Sequence, residues 1–288
     1  MAFTLKIENK KIFQKKKFDF ELFVKESGFN YGSDDDFYVL EENKISENTA
    51  ILYNPKKIGR GIFIDFSKAI EGIVEISYNI PTSKSEIEDF VNAVELIEKQ
   101  YEKAHIFCYE EDVKYTVSEL KNNISKMVTF NLNKLNEFCK NEEYNSLIFT
   151  LALWPIVLED VGLFSTCKNL EEFEKYIHGK QAIDVYYAKP KLYKKNEAEV
   201  AAVYVLTEEC ESVFPIKADG FINLSDVKID KGFIQFYIFS ENRMIENLYD
   251  YDTFIQCMLV KGMEKFDGTH ILIPSLTKNE IMSIIAEF

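Results

Sequence analysis

Residues 73–97 read IVEISYNIPTSKSEIEDFVNAVELI, and the period of their apolar residues changes midway. The first part, from Ile73 to Ile80, is strand-like, and Pro81 ends it. Ser83-x-x-Glu86 then opens a helix as a capping box, after which Ile87, Phe90, Val91, Val94 and Ile97 recur at helical spacing. A strand delivered straight into an amphipathic helix is the unit from which the rest of the chain can be read.

Upstream, FYVLEEN, TAILYNP and GIFIDFS are further strand-like runs separated by turn residues at hairpin spacing, so 37–80 is expected to be an antiparallel meander. The opening FTLKIEN alternates like a half-buried strand. The lysine-rich KKIFQKKK after it reads as a solvated connection, with an anion patch as the alternative. Asp19 is placed to cap a short helix over FELFVKESG, with Gly28 at its stop.

Downstream, HIFCYEEDVKYT returns as strand, and Thr116-x-x-Glu119 opens a helix carrying Leu120, Ile124 and Met127. The second half offers the strands IDVYYAKP, EVAAVYVLT, FIQFYIFS and THILIPS. A helix is expected from about Asp252 to Phe266, stopped by Gly268. Thr277-x-x-Glu280 is a third capping box, and Ile281, Ile285 and Phe288 stand from Thr277 as Leu120, Ile124 and Met127 stand from Thr116. The coincidence points to a diverged tandem duplication; chance recurrence of common helix starts is the open alternative.

Between the halves, LIFTLALWPIVL at 147–158 is the longest apolar run. It is too short to span a bilayer and reads as a buried helix kinked or ended near Pro155, anchored by Trp154, with an exposed patch for a partner as the alternative. Strands in runs separate from helices disfavour a doubly wound sheet. The expected architecture is α+β: two similar lobes of antiparallel sheet backed by helices, 1–127 and 174–288, joined by an apolar helical connector, 128–173.

The composition sets limits on function. A net charge of −14 on 288 residues argues against sequence-independent nucleic-acid binding, which needs a broad basic face. The acidity reads as solubility or as recognition of a basic partner. Five cysteines, with no Cys-x-x-Cys, give no zinc knuckle or dithiol site. With no signal-peptide pattern at the N-terminus, reduced thiols in a cytoplasm are expected, and neither a cofactor, a metal nor a membrane.

Residues 54–67, NPKKIGRGIFIDFS, place three cations and a Gly-Arg-Gly turn in this acidic chain. A phosphate loop or dinucleotide fingerprint needs its glycines at the start of a helix, whereas Gly59 and Gly61 lead into an alternating strand. What remains is a hairpin loop in which Asn54, Lys56, Lys57 and Arg60 are candidates for an anion or a partner, with a plain basic turn as the alternative. The three aspartates Asp34, Asp35 and Asp36 lack the spacing of a calcium loop, and pairing of this acidic loop with the basic hairpin is a further possibility. His105, His178 and His270 are isolated in sequence, and neither Gly-x-Ser-x-Gly nor His-Glu-x-x-His occurs.

The segments YGSDDDFYVLEEN, AILYNPKKIGRGI and VEISYNIPTSKSEIEDFVNAVELIEK resemble an uncharacterised bacterial family, domain of unknown function 4299. The resemblance implies a bacterial, cytoplasmic protein and brings no activity, cofactor or catalytic residue. The expected function is a non-enzymatic protein-binding module. The alternatives are an enzyme or binding protein for an anionic small molecule, and an immunity or inhibitor-type protein masking a basic partner.

Overall fold

A computed structural model describes residues 1–10, 16–109, 112–140, 147–158, 169–195, 199–220 and 228–288. The protein is α+β, and its contacts divide it into two compact units. The first comprises Met1–Asn145, Thr150–Pro155 and Asp160–Ala182; the second, Ser146–Phe149, Ile156–Glu159 and Ile183–Phe288.

The first unit is built on an eight-stranded sheet of strands β1 (Ala2–Asn9), β2 (Asn30–Asp34), β3 (Leu40–Glu42), β4 (Thr49–Tyr53), β5 (Ile62–Asp65), β6 (Ile73–Asn79), β7 (Ala104–Cys108) and β8 (Val113–Tyr115). Their order is β3-β2-β4-β5-β6-β1-β7-β8. Every pairing is antiparallel, so the expected meander is present, with β1 inserted between β6 and β7. Alternation sends Leu5, Ile7, Leu52, Ile64, Val74 and Ile76 to one face, where each is fully buried.

Helix α1 (Phe20–Ser27) is capped by Asp19, whose Oδ1 accepts from Leu22 N at 3.0 Å, and ends at Gly28 with φ +71°. Helix α2 (Lys84–Tyr101) contributes Ile87, Phe90, Val91, Val94 and Ile97 to the same core, each fully buried. At roughly 1.5–3 kcal/mol per fully buried large apolar side chain, this stripe is a major stabilising element of the unit. Helix α3 (Val117–Lys140) starts at a complete capping box: Glu119 accepts from Thr116 N at 2.8 Å, and Thr116 Oγ1 accepts from Glu119 N at 3.2 Å.

The apolar run 147–158 is not a helix. It forms two short antiparallel strands, β9 (Leu147–Phe149) and β10 (Ile156–Leu158), around a non-helical stretch. Pro155 cannot donate a helical hydrogen bond, and the stretch instead finds partners outside itself: Leu153 N donates to Gln181 Oε1 at 2.9 Å and Ala152 N to Gly59 O at 3.2 Å. Trp154 is buried, its indole N–H donated to Lys180 O at 3.1 Å. Helix α4 (Leu170–Gly179) follows, capped by Asn169.

The second unit holds a sheet of β11 (Tyr186–Tyr187), β14 (Ser212–Pro215), β19 (His270–Ile273) and β18 (Glu264–Lys265). It also holds a sheet of β12 (Lys191–Lys195), β13 (Glu199–Thr207), β15 (Lys231–Ile238) and β16 (Arg243–Met244), with β17 (Tyr249–Asp250) also paired to β15. β13 pairs with β15, and β11 with β14, in parallel. These mixed sheets do not repeat the antiparallel order of the first unit. Helix α5 (Tyr251–Val260) ends before the expected Phe266 because Gly262, at φ +80°, closes it in a Schellman arrangement: its N–H donates to Leu259 O, and Met263 N to Met258 O. Helix α6 (Lys278–Ile285) carries the capping box of Thr277 and Glu280. Among the described residues no helix is long and apolar enough to cross a membrane.

Tyr101, at the end of α2, is fully buried, and its hydroxyl finds no hydrogen-bond partner among the described residues. Burial alone pushes that hydroxyl up to about 12. An unmet buried hydroxyl costs about 1–3 kcal/mol. Tyr101→Phe is therefore expected to raise the urea midpoint, with a gain of about 1 kcal/mol at unchanged m-value; a lower midpoint would show that the hydroxyl is satisfied.

Candidate functional site

The loop between β4 and β5 contains the four candidate residues, and its backbone is drawn inward. Asn54 Oδ1 accepts from Lys56 N at 3.0 Å, a local turn bond, while Asn54 Nδ2 donates to Asp89 Oδ2 on α2 at 3.0 Å. Lys57 Nζ lies 3.1 Å from Glu174 Oε1 on α4 and donates to Ser85 Oγ at 2.8 Å. Ile58 N donates to His178 Nδ1 at 3.0 Å, which places the proton of a neutral imidazole on Nε2. Gln181 binds Gly59 O and Ile177 O through Nε2, at 2.9 and 3.0 Å.

At the centre lies the Glu86 carboxylate. It accepts from Gly61 N at 2.6 Å, from the backbone of Arg60 and from Thr82 Oγ1. A Cβ on Gly59 would stand 2.5 Å from Glu86 Oε1, so only glycine lets the chain close around the carboxylate. The Gly-Arg-Gly turn is thus a small anion nest whose anion belongs to the protein itself. This corrects the expected capping box: Ser83 Oγ accepts from Glu86 N at 3.1 Å, but the carboxylate turns away from the helix start into the nest.

Arg60 extends from the same turn. Its Nε donates to Thr150 O at 3.0 Å, Nη1 to Pro81 O at 3.1 Å and Nη2 to Thr150 Oγ1 at 3.2 Å. Burial lowers the guanidinium to about 10, with the Glu86 charge opposing that shift. Burial likewise raises the Glu86 carboxyl above its ordinary value, and the bonds from Thr82, Arg60 and Gly61 counteract it only in part.

Of the four candidates, Arg60 lines a pocket of the described residues. Asn54, Lys56 and Lys57 are not brought to it. The pocket, about 300 Å³, opens on the sheet face opposite the core and is bounded by Asp34, Tyr38, Ile51, Arg60, Phe63 and Thr150 among others. Phe63 and Tyr38 are 44% and 43% exposed at its rim. Asp34 and Arg60 thus reach one pocket; burial, chiefly, raises the Asp34 carboxyl. Phe63 was legible in the alternation of IFID, which sends Ile62 and Ile64 inward and Phe63 outward. Thr150 carried no such signal, because it is joined to the site only by tertiary packing.

In the second unit, Tyr187 Oη and His270 Nε2 are 3.1 Å apart, and His270 Nδ1 lies 2.9 Å from Asp267 Oδ1. Asp267 also accepts from Val157 N, Thr269 N and His270 N. Tyr187, His270 and Asp267 are all buried, so this relay has the members of an acid–base system without access for a substrate. It ties β10, β11 and β19 together. Among the described residues no group of three or more His, Cys, Asp or Glu could hold a metal ion.

The cage around Glu86 makes two variants informative. Glu86→Ala strips the buried Gly61 N–H and Thr82 hydroxyl of their acceptor and removes the charge that favours the buried guanidinium, and is expected to cost about 3–5 kcal/mol in denaturant unfolding. Glu86→Gln keeps an acceptor for Gly61 N and should cost less. Because the folded-state value is raised, stability from this group is full below its ordinary 4.5 and falls as pH rises through the folded value. Wild type should therefore lose ground to Glu86→Gln on going from pH 4.5 upward; a constant difference would show that the carboxylate is fully compensated.

No curated protein and no solved structure matches the chain. The family described as Domain of unknown function (DUF4299) matches residues 2–284, nearly the whole length, and the chain belongs to that family.

Proposed function

We propose that the protein is a binding module that seats a protein partner on the outer face of the eight-stranded sheet, with the pocket beside Arg60 receiving one anchoring side chain. The observation that carries this reading is the pair of exposed aromatics, Tyr38 and Phe63, on the rim of a pocket whose wall includes Arg60. Aromatic and arginine side chains are the residue types enriched in interface cores and hot spots. At about 300 Å³ the pocket sits at the lower bound of small-molecule sites. An anchor with an apolar stem would lie against Phe63 and Ile51, its polar tip near Asp34 and Arg60.

A second reading, a small anionic ligand, draws on the same arginine in the pocket lining. It predicts that phosphorylated metabolites raise the melting temperature of wild type and not of Phe63→Asp.

The partner reading is tested by capture from native cell lysate followed by mass spectrometry. Phe63→Asp and Tyr38→Asp are compared with wild type and with Ile70→Asp, a control at a residue 75% exposed. Wild type and the control should capture the same protein. Each pocket variant should weaken its binding by about 2 kcal/mol, roughly thirtyfold, with unfolding unchanged. Equal capture by all four, or by none, would defeat the reading.

A further inference from the structure

Strand β12 lies at the end of its sheet, paired antiparallel to β13 on one side. A strand in that position presents a row of main-chain N–H and C=O groups on its other side. Lys191, Leu192, Tyr193 and Lys194 are exposed in succession, so among the described residues both faces of the strand stand partly open along these four residues. The register sets Leu192 opposite Ala202, which is fully buried, and Tyr193 opposite Ala201. Leu192 and Lys194 therefore share one face, and Lys191 and Tyr193 the other: each face carries one apolar group and one cation. Leu192 is 43% and Tyr193 56% exposed.

The chain carries a net charge of −14, yet residues 189–195, KPKLYKK, contain four lysines and no acid. Some lysines elsewhere are paired with carboxylates, as Lys57 is with Glu174, Lys121 with Glu95 and Lys261 with Glu287, and others among the described residues stand unpaired on the surface. Lys191 and Lys194 have no ion pair with a described residue. Lysine on an edge strand also guards against indiscriminate pairing. That role accounts for the charge and leaves unexplained the large apolar groups held out on both faces.

We propose that β12 accepts an extended acidic segment of a protein partner as an added strand. Main-chain hydrogen bonds would form along the free edge, carboxylates would meet Lys191 and Lys194, and apolar side chains would rest on Leu192 and Tyr193. Charge complementarity selects the partner, since a basic or neutral strand would leave both lysines unpaired. The site belongs to the second unit and is independent of the Arg60 pocket.

The probe is a short fluorescein-labelled peptide of alternating glutamate and valine, titrated by anisotropy against the full chain at about 0.15 M salt. Saturable binding is expected. It should weaken about tenfold or more with Lys191→Glu combined with Lys194→Glu, and equally with a peptide N-methylated at alternate residues, which keeps the charge and loses the main-chain donors. Both lysines are exposed, and circular dichroism verifies that the variant is folded. Absence of binding, or equal binding of the methylated peptide, would overturn the proposal. So would a double variant that self-associates while binding the peptide as wild type does, since the lysines would then serve only to guard the edge.

Discussion

The Glu86 carboxylate, caged by the Gly59–Gly61 turn and Thr82, is the constraint on which the first unit depends. It stands in the first turn of α2, at the place where the sheet hands the chain to its main helix. A carboxylate there would ordinarily close a capping box in water. Here it is buried and closes a loop, so the β4–β5 hairpin, the α2 start and Arg60 are fixed by one group. Burial opposes both charges, and the arrangement stands because main-chain donors and two opposite charges offset the loss of water.

From that anchor the loop gathers otherwise distant segments. Gly59 O receives both Gln181 and Ala152; Ile58 reaches His178; Arg60 holds Thr150. The residues that suggested an anion site in the sequence are in part turned to this internal use, with Lys57 on Glu174 and the neutral Asn54 amide on Asp89. Among those residues Arg60 serves both the scaffold and a pocket, which sets a buried, hydrogen-bonded arginine beside exposed aromatic side chains. The second unit uses the same device in another form: Asp267 gathers the backbone of Val157 and Thr269 and the His270 ring, and Tyr187 completes the chain. Buried polar networks of this kind specify one arrangement of strands, because any other would leave their members unpaired.

Local order was written in the sequence wherever it depends on neighbours along the chain. The change of period at Pro81, the stripe Ile87 to Ile97, the Asp19 and Thr277 caps and the outward turn of Phe63 follow from spacing and from side-chain to backbone bonds a few residues long. Tertiary contacts decided the rest. The apolar run 147–158 has the composition of a core helix, yet its backbone partners lie on Gln181, Gly59 and Asp267, and those bonds hold it as a hairpin. Glu86 has the spacing of a capping residue, yet a nest 25 positions upstream offers it stronger donors. The sequence by itself determined the strands and helices of the first sheet, the Asp19, Thr116 and Thr277 caps and the outward turn of Phe63, all governed by periods of a few residues. Only the tertiary structure decided where buried charges find partners and which cation meets a pocket, because those choices rest on groups far apart in the chain that burial forces to satisfy one another.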